Sequence, residues 1–249
     1  MNDYYNEFDP YAAQTLRNLI AAGHIPPGDV DERSILEVRA DDLRGYNQCH
    51  FFAGIGGWPL ALRLAGWPRD RPLWTGSPPC QPYSAASVAN GGAKGQSDER
   101  DLWPAFGALI CERRPSKVLG EQVASSVGWG WWDRAALELE RAGYACAAAV
   151  LRADAYGAAH ERRRLYWVAH AGGAGWEGLE SIKFVPGGAQ TSQPQHGDPL
   201  ARARRALEGD FSDLLLGDGF PVGVGRSRIH GYGNAIVPQV AASFIRAAL

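Results

Sequence analysis

The chain has 249 residues, enough for one medium domain or a core domain with a small insert, with 45% hydrophobic and 21% charged residues. A net charge of −2 gives no global field toward polyanions, so any nucleic-acid contact must come from local basic clusters. No apolar run reaches the roughly 18 residues of a membrane span, and the acidic start MNDYYNEFDP is not a signal peptide, so a cytoplasmic protein without a membrane partner is expected.

In chain order, residues 11–22 (YAAQTLRNLIAA) carry helical periodicity closed by Gly23. CHFFAGIGG reads as a short buried strand entering a glycine turn, and WPLALRLAGW as the following helix, capped by Gly66. PLWTG is a second strand; LWPAFGALICERR a helix; SKVLGEQV a strand; WWDRAALELERAGY an amphipathic helix; ACAAAVLRA and RRLYWVAHA two more strands. This alternation predicts a mostly parallel sheet flanked by helices. Near residue 171 the composition turns to Gly, Pro, Gln and Ser without periodicity, continued by the basic helix PLARARRALEG. Regular structure resumes at GNAIVPQVAASFIRAAL, a turn into a C-terminal helix. Internal repeats are absent.

The cysteines at 49, 80, 111 and 146 are widely spaced, which argues against a zinc ribbon and against a disulfide framework; no metal site is expected. Cys49, Cys111 and Cys146 sit in apolar segments and read as small buried hydrophobes. Cys80 differs. In SPPCQPYSAA it stands at a turn stiffened by Pro78, Pro79 and Pro82, a rigid mounting that a structural thiol does not need and a nucleophile does. The glycines of FFAGIGG lie between a strand and a helix, where the backbone can approach a ligand closely. Their spacing is not GxGxxG, so the pyrophosphate fingerprint is missing and S-adenosylmethionine suits better than a dinucleotide.

FAGIGG and PPCQPYSAA together resemble the DNA (cytosine-5)-methyltransferase family, in which a Pro-Cys nucleophile attacks C6 of a flipped-out cytosine. The resemblance implies Cys80 as nucleophile, with Gln81 and Ser84 of the same loop toward DNA, and Phe52, Ala53, Gly54, Ile55, Gly56, Gly57 and Pro79 toward the cofactor. GEQVAS resembles the family's Glu-Asn-Val motif, so Glu121 would act at cytosine N3, with Gln122 in place of Asn. GAAHERRRLYWVA resembles the Gln-x-Arg-x-Arg strand, assigning Arg162 and Arg164 to the site, Arg164 toward O2, with His160 for Gln. GYGNAIVPQVA resembles the final Gly-Asn-Ser-Val-x-Pro motif, which puts Asn234 and Ala235 beside the cofactor.

The family's order is broken at one point. Eight residues between Trp67 and GSPPCQ are too few for the acidic and adenine-contacting motifs that should follow the glycine turn. YYNEFDPYAAQTLRNLI and RSILEVRADDL resemble those motifs and lie upstream, so a local permutation is expected, the family's second and third strands preceding its first. Glu7 would then bind the ribose hydroxyls, Phe8 would stack on adenine, and Ser34 would hold the adenine-contacting position, with Asp29 or Asp31 as substitutes.

The expected fold is thus α/β and Rossmann-like, of the S-adenosylmethionine-dependent methyltransferase kind, with a locally permuted strand order. Residues 1–170 form the cofactor-binding catalytic part, 171–218 a small loop-rich target-recognition insert, and 219–249 complete the catalytic part. Arg202, Arg204, Arg205, Arg226 and Arg228 are the candidates for contacts to double-stranded DNA. A monomer that methylates cytosine C5 and releases S-adenosylhomocysteine is the expected activity. The alternatives are an amino methyltransferase acting on cytosine N4 or adenine N6, an RNA cytosine methyltransferase, and a non-catalytic binding remnant.

Overall fold

In the computed structural model the described residues are 2–79, 101–156, 158, 161–172 and 235–248. They form seven strands in the order β2-β1-β3-β4-β5-β7-β6: β1 Asp3–Asn6, β2 Gly28–Asp31, β3 Gln48–Phe51, β4 Leu73–Gly76, β5 Lys117–Val123, β6 Tyr144–Arg152 and β7 Arg163–Ala171. The first five run parallel; β7 is antiparallel to both of its neighbours. The helices are α1 Pro10–Ala21, α2 Gly57–Ala65, α3 Trp103–Arg113, α4 Ser126–Arg141 and α5 Pro238–Ala248. None of the described helices is long and apolar enough to cross a membrane.

The permutation expected from the motif order is present. β1 and β2 lie beside β3 on the side away from β4, where strands following the glycine turn would lie in the usual order. The rewiring has a geometric consequence. Tyr5, His50, Thr75 and Leu119 are successive Cα partners across β1, β3, β4 and β5, so they share one sheet face. On that face α1 packs Leu16 against Tyr5, while α2 (Trp58, Ala61, Leu62) and α5 (Val240, Phe244, Ile245) join the cluster of Leu119. The opposite face, with Tyr4, Phe51, Trp74 and Trp167, is covered by α3 and α4 through Trp103, Phe106, Trp131 and Trp132. From β1 to β2 and from β3 to β4 the chain moves in opposite directions across the sheet, yet α1 and α2 lie on the same face. The two crossovers therefore have opposite hands. The β4-to-β5 connection through α3 shares the hand of β1-α1-β2, which makes β3-α2-β4 the exceptional one against the strong right-handed rule.

Local chemistry explains the element ends. Asp9 caps α1 by accepting from Ala12 N at 2.9 Å, with Pro10 at the first helical position. Gly66 closes α2 at φ 74°, as its position in the sequence predicts. Helix α4 begins earlier than the WWDRAALELERAGY pattern suggests, because Ser125 caps it from 3.2 Å at Gly128 N. The glycines of SVGWG mask this first turn. A Cβ on Gly128 would stand 1.8 Å from Val123 O, so the weak helix former is required by the tight return from β5. Cys49 is buried, but Cys111 is exposed: its neighbours Leu109 and Ile110 take the inward positions of α3. That corrects the expectation of a buried thiol there.

Candidate active site

The parallel strands all end at one edge of the sheet, and the motifs leave from that edge, where ligands of open α/β sheets bind. Glu7 follows β1 directly. It is not part of a frayed terminus: β1 is buried between β2 and β3. Its carboxylate accepts from Gly54 N at 2.7 Å and from Asp9 N at 2.9 Å. Burial pushes this carboxyl above its ordinary range, and the two backbone N–H groups partly oppose that. Phe8, next to it, is 71% exposed.

Beyond β3 the chain turns sharply. Phe52 adopts φ 51°, uncommon for a side chain of its size, and Gly54 and Gly56 adopt φ 55° and 82°. The glycines serve different ends. A Cβ on Gly57 would lie 2.6 Å from Ile236 Cγ1, so that glycine lets α2 meet the segment entering α5. Gly56 faces Leu16, Leu19 and Ile25 of the core. At Gly54 a Cβ would meet nothing within 4 Å, so open space lies over the one glycine whose N–H is held by Glu7. A strained turn with an open glycine beside a half-buried carboxylate fits a nucleoside-type ligand. Ala53 is buried with the α1 core, Ile55 is half-buried, and Ala235 and Ile236 lead into α5.

Ser34 is engaged elsewhere. Its hydroxyl accepts from Leu36 N at 3.4 Å and its own N–H donates to Glu37 Oε2 at 3.1 Å, capping a short 3-10 turn. Asp31 accepts from Arg33 and, at 2.7 Å, from Tyr4 Oη; Asp29 accepts from Tyr46 Oη at 2.7 Å. Each of the three candidates for the adenine position therefore already has a local partner. An open cleft of about 700 Å³ along β2 is lined by these carboxylates, Tyr4 and Tyr46, with Arg33 bridging Asp31 and Asp42.

At the end of β5, Glu121 is 7% exposed and Arg164 of β7 brings Nε to 2.7 Å from its Oε1. The approach is off-axis, an ion pair without an aligned hydrogen bond, and among the described residues Oε1 has no other donor. Burial raises the Glu121 carboxyl above its ordinary pKa; Arg164 and then Arg162 pull the other way. Burial, with the like charge of Arg164, lowers the Arg162 guanidinium. Gln122, at the Asn position of the motif, is buried, accepts from Val123 N at 2.9 Å and donates Nε2–H to Pro78 O at 3.4 Å. The end of β5 is thus tied to the Pro-Pro turn two residues before Cys80. Trp58 donates Nε1–H to Ser77 Oγ at 3.0 Å from the other side. Neither tie was legible in the sequence, since each joins a motif to an unremarked neighbour across the sheet.

Pro79 is exposed. Cys80, Gln81, Ser84, His160, Arg202, Arg204, Arg205, Arg226, Arg228 and Asn234 lie outside the described residues, as does the expected insert. Among the described residues no group of His, Cys, Asp and Glu side chains could hold a metal ion.

Residues 68–198, more than half of the chain, match the family described as C-5 cytosine-specific DNA methylase. The protein belongs to that family. A curated relative, the type II methyltransferase M.AplI of Arthrospira platensis, is 31% identical over 109 residues, which are 43% of this chain and 30% of that protein. The match thus spans less than a third of the curated relative's length. Similar solved structures include a DNMT2 mutant of Spodoptera frugiperda (TM-score 0.48, 14% identity, 71% of this chain and 44% of that one). Another is a prophage-encoded putative DNA modification methyltransferase from E. coli (TM-score 0.44, 20% identity, 68% and 40%).

Proposed function

We propose that the protein transfers a methyl group from S-adenosylmethionine to C5 of a flipped-out cytosine in double-stranded DNA, through a covalent bond from Cys80 to C6. The observation that carries this reading is the buried Glu121–Arg164 pair at the end of β5, whose next residue holds Pro78, two residues before Cys80. Two residues of chain reach at most about 7 Å.

The roles follow from charge. The Cys80 thiolate attacks C6, and the electron pair displaced into the ring develops on N3 and O2. Burial shifts the Glu121 carboxyl toward its protonated form, the form that would donate to N3. Arg164 supplies positive charge at O2 and holds Glu121 in place. Arg162, half-buried beside the pair, adds to the same field. S-adenosylmethionine held there would supply the methyl group for C5; loss of the C5 proton to solvent water would then expel the Cys80 sulfur from C6 and restore both the aromatic base and the thiolate. Flipping is required because stacking shields C5 and C6 in a duplex.

Glu7 would hold the cofactor ribose, residues 52–57 with Pro79, Asn234 and Ala235 its amino acid part, and Phe8 a face of the adenine. The arginines at 202, 204, 205, 226 and 228 are suited to phosphates and base edges, joined by Gln81 and Ser84 at the flipped base. The test is tritium transfer from labelled cofactor to duplex DNA, with tRNA in parallel and bisulfite sequencing of the product. Wild type is expected to label DNA at cytosine C5 and Cys80→Ser to label nothing. Label on an exocyclic amine, on tRNA alone, or undiminished in Cys80→Ser contradicts the reading.

A further inference from the structure

Trp58 is 2% exposed and follows the glycine turn directly. Its indole N–H donates to Ser77 Oγ at 3.0 Å. Its ring meets Tyr166 edge-on, centroids 6.2 Å apart at 77°, and Tyr166 is the Cα partner of Glu121 across β5 and β7. One side chain therefore bridges the glycine turn, the start of the cysteine turn and the strand of the Glu–Arg pair. Pro78 and Pro79 have no N–H, so this stretch cannot be tied down by its own backbone donors. Among the described residues its side-chain ties are Ser77 Oγ, held by Trp58, and Pro78 O, held by Gln122.

We propose that Trp58 is a positioning residue, whose indole N–H fixes Ser77 and so sets the Cys80 turn relative to the methyl-donor site at residues 52–57. The proposal rests on the reading of Cys80 as nucleophile. Nucleophile and donor must act on adjacent ring carbons, C6 and C5, so a small lateral drift of one turn against the other lowers the rate without weakening binding.

The test compares Trp58→Phe, which keeps the ring and loses the donor, with Ser77→Ala and the double variant. Steady-state methylation and the rate of covalent capture on a 5-fluorocytosine duplex are measured. Each single variant is expected to lower kcat and the capture rate about ten-fold, with KM for cofactor and for DNA within about two-fold of wild type. The double variant is expected to be no slower than the slower single one, since both remove the same bond. Wild-type kcat in either variant, multiplying losses in the double, or a change confined to KM overturns the proposal. Circular dichroism checks folding; should Trp58→Phe not fold, Ser77→Ala decides the matter by the same criteria. Cys80→Ser is run alongside. Its retention of activity removes the nucleophile reading itself, whereas an inactive Cys80→Ser beside full-rate Trp58 and Ser77 variants removes only the positioning role.

Discussion

At Glu121 the Arg164 ion pair leaves a buried carboxylate oxygen without an aligned donor among the described residues. A carboxylate kept for structure gains most from aligned donors, yet among the described residues Oε1 has an off-axis guanidinium and no other donor. Its raised pKa favours the protonated form that the proposed N3 protonation would use. Glu121→Gln keeps size and loses the proton, and is expected to lower kcat by about 10²-fold or more, measured by steady-state methylation. Arg164→Lys cannot reproduce the guanidinium's spread of donors and is expected to lose at least ten-fold in kcat as well as some stability, since Glu121 stays buried. Asp3, 1% exposed and with no hydrogen bond to Oδ2 among the described residues, belongs to stability instead. Burial raises its pKa from 3.8 to about 6, against the opposing charge of Arg69. The sign follows from linkage: the folded state binds this proton more tightly than the unfolded one, so the penalty is absent below about pH 4 and complete above about pH 6. Asp3→Asn should therefore flatten the fall in melting temperature between those values and gain on the order of 2 kcal/mol at neutral pH. An unchanged pH slope in the variant contradicts the assignment.

Among the elements, the glycine turn divides into a packed glycine and an open one. Gly57→Ala drives a Cβ to 2.6 Å from Ile236 Cγ1 and is expected to destabilise by about 1–3 kcal/mol, read by denaturant unfolding. Gly54→Ala meets open space at φ 55°; its backbone cost is about 1–2 kcal/mol, but its KM for cofactor should rise far more than that of Gly57→Ala. The opposite ranking of the two KM values sinks the division. Element boundaries were legible where chemistry marks them: Gly66 after α2 and the apolar run of RRLYWVAHA. They were not legible at the start of α4, where glycines demanded by Val123 O conceal a helical turn. Cys111 misled because an apolar segment in a helix still has an outward face.

For the whole molecule, the order of motifs predicted the order of strands because a parallel sheet is defined by which strands are neighbours, not by how they connect. The sequence could not disclose the reversed hand of one crossover: that depends on which face α2 covers, a matter of packing against α5 nearly two hundred residues away. Candidate site residues could be named where each stands in a motif, as Glu7, Glu121 and Arg164 do. Contacts that join motifs, Gln122 with Pro78 and Trp58 with Ser77, were hidden because no local pattern encodes a distance across strands. The proposed chemistry turns on a covalent bond, and one measurement addresses it: mass spectrometry of the protein incubated with S-adenosylmethionine and a 5-fluorocytosine duplex. The expected result is an adduct of chain plus DNA strand plus methyl group, mapped to Cys80 by peptide digestion and missing from Cys80→Ser. A protein that methylates the unfluorinated duplex yet yields no adduct, or an adduct at another residue, contradicts it.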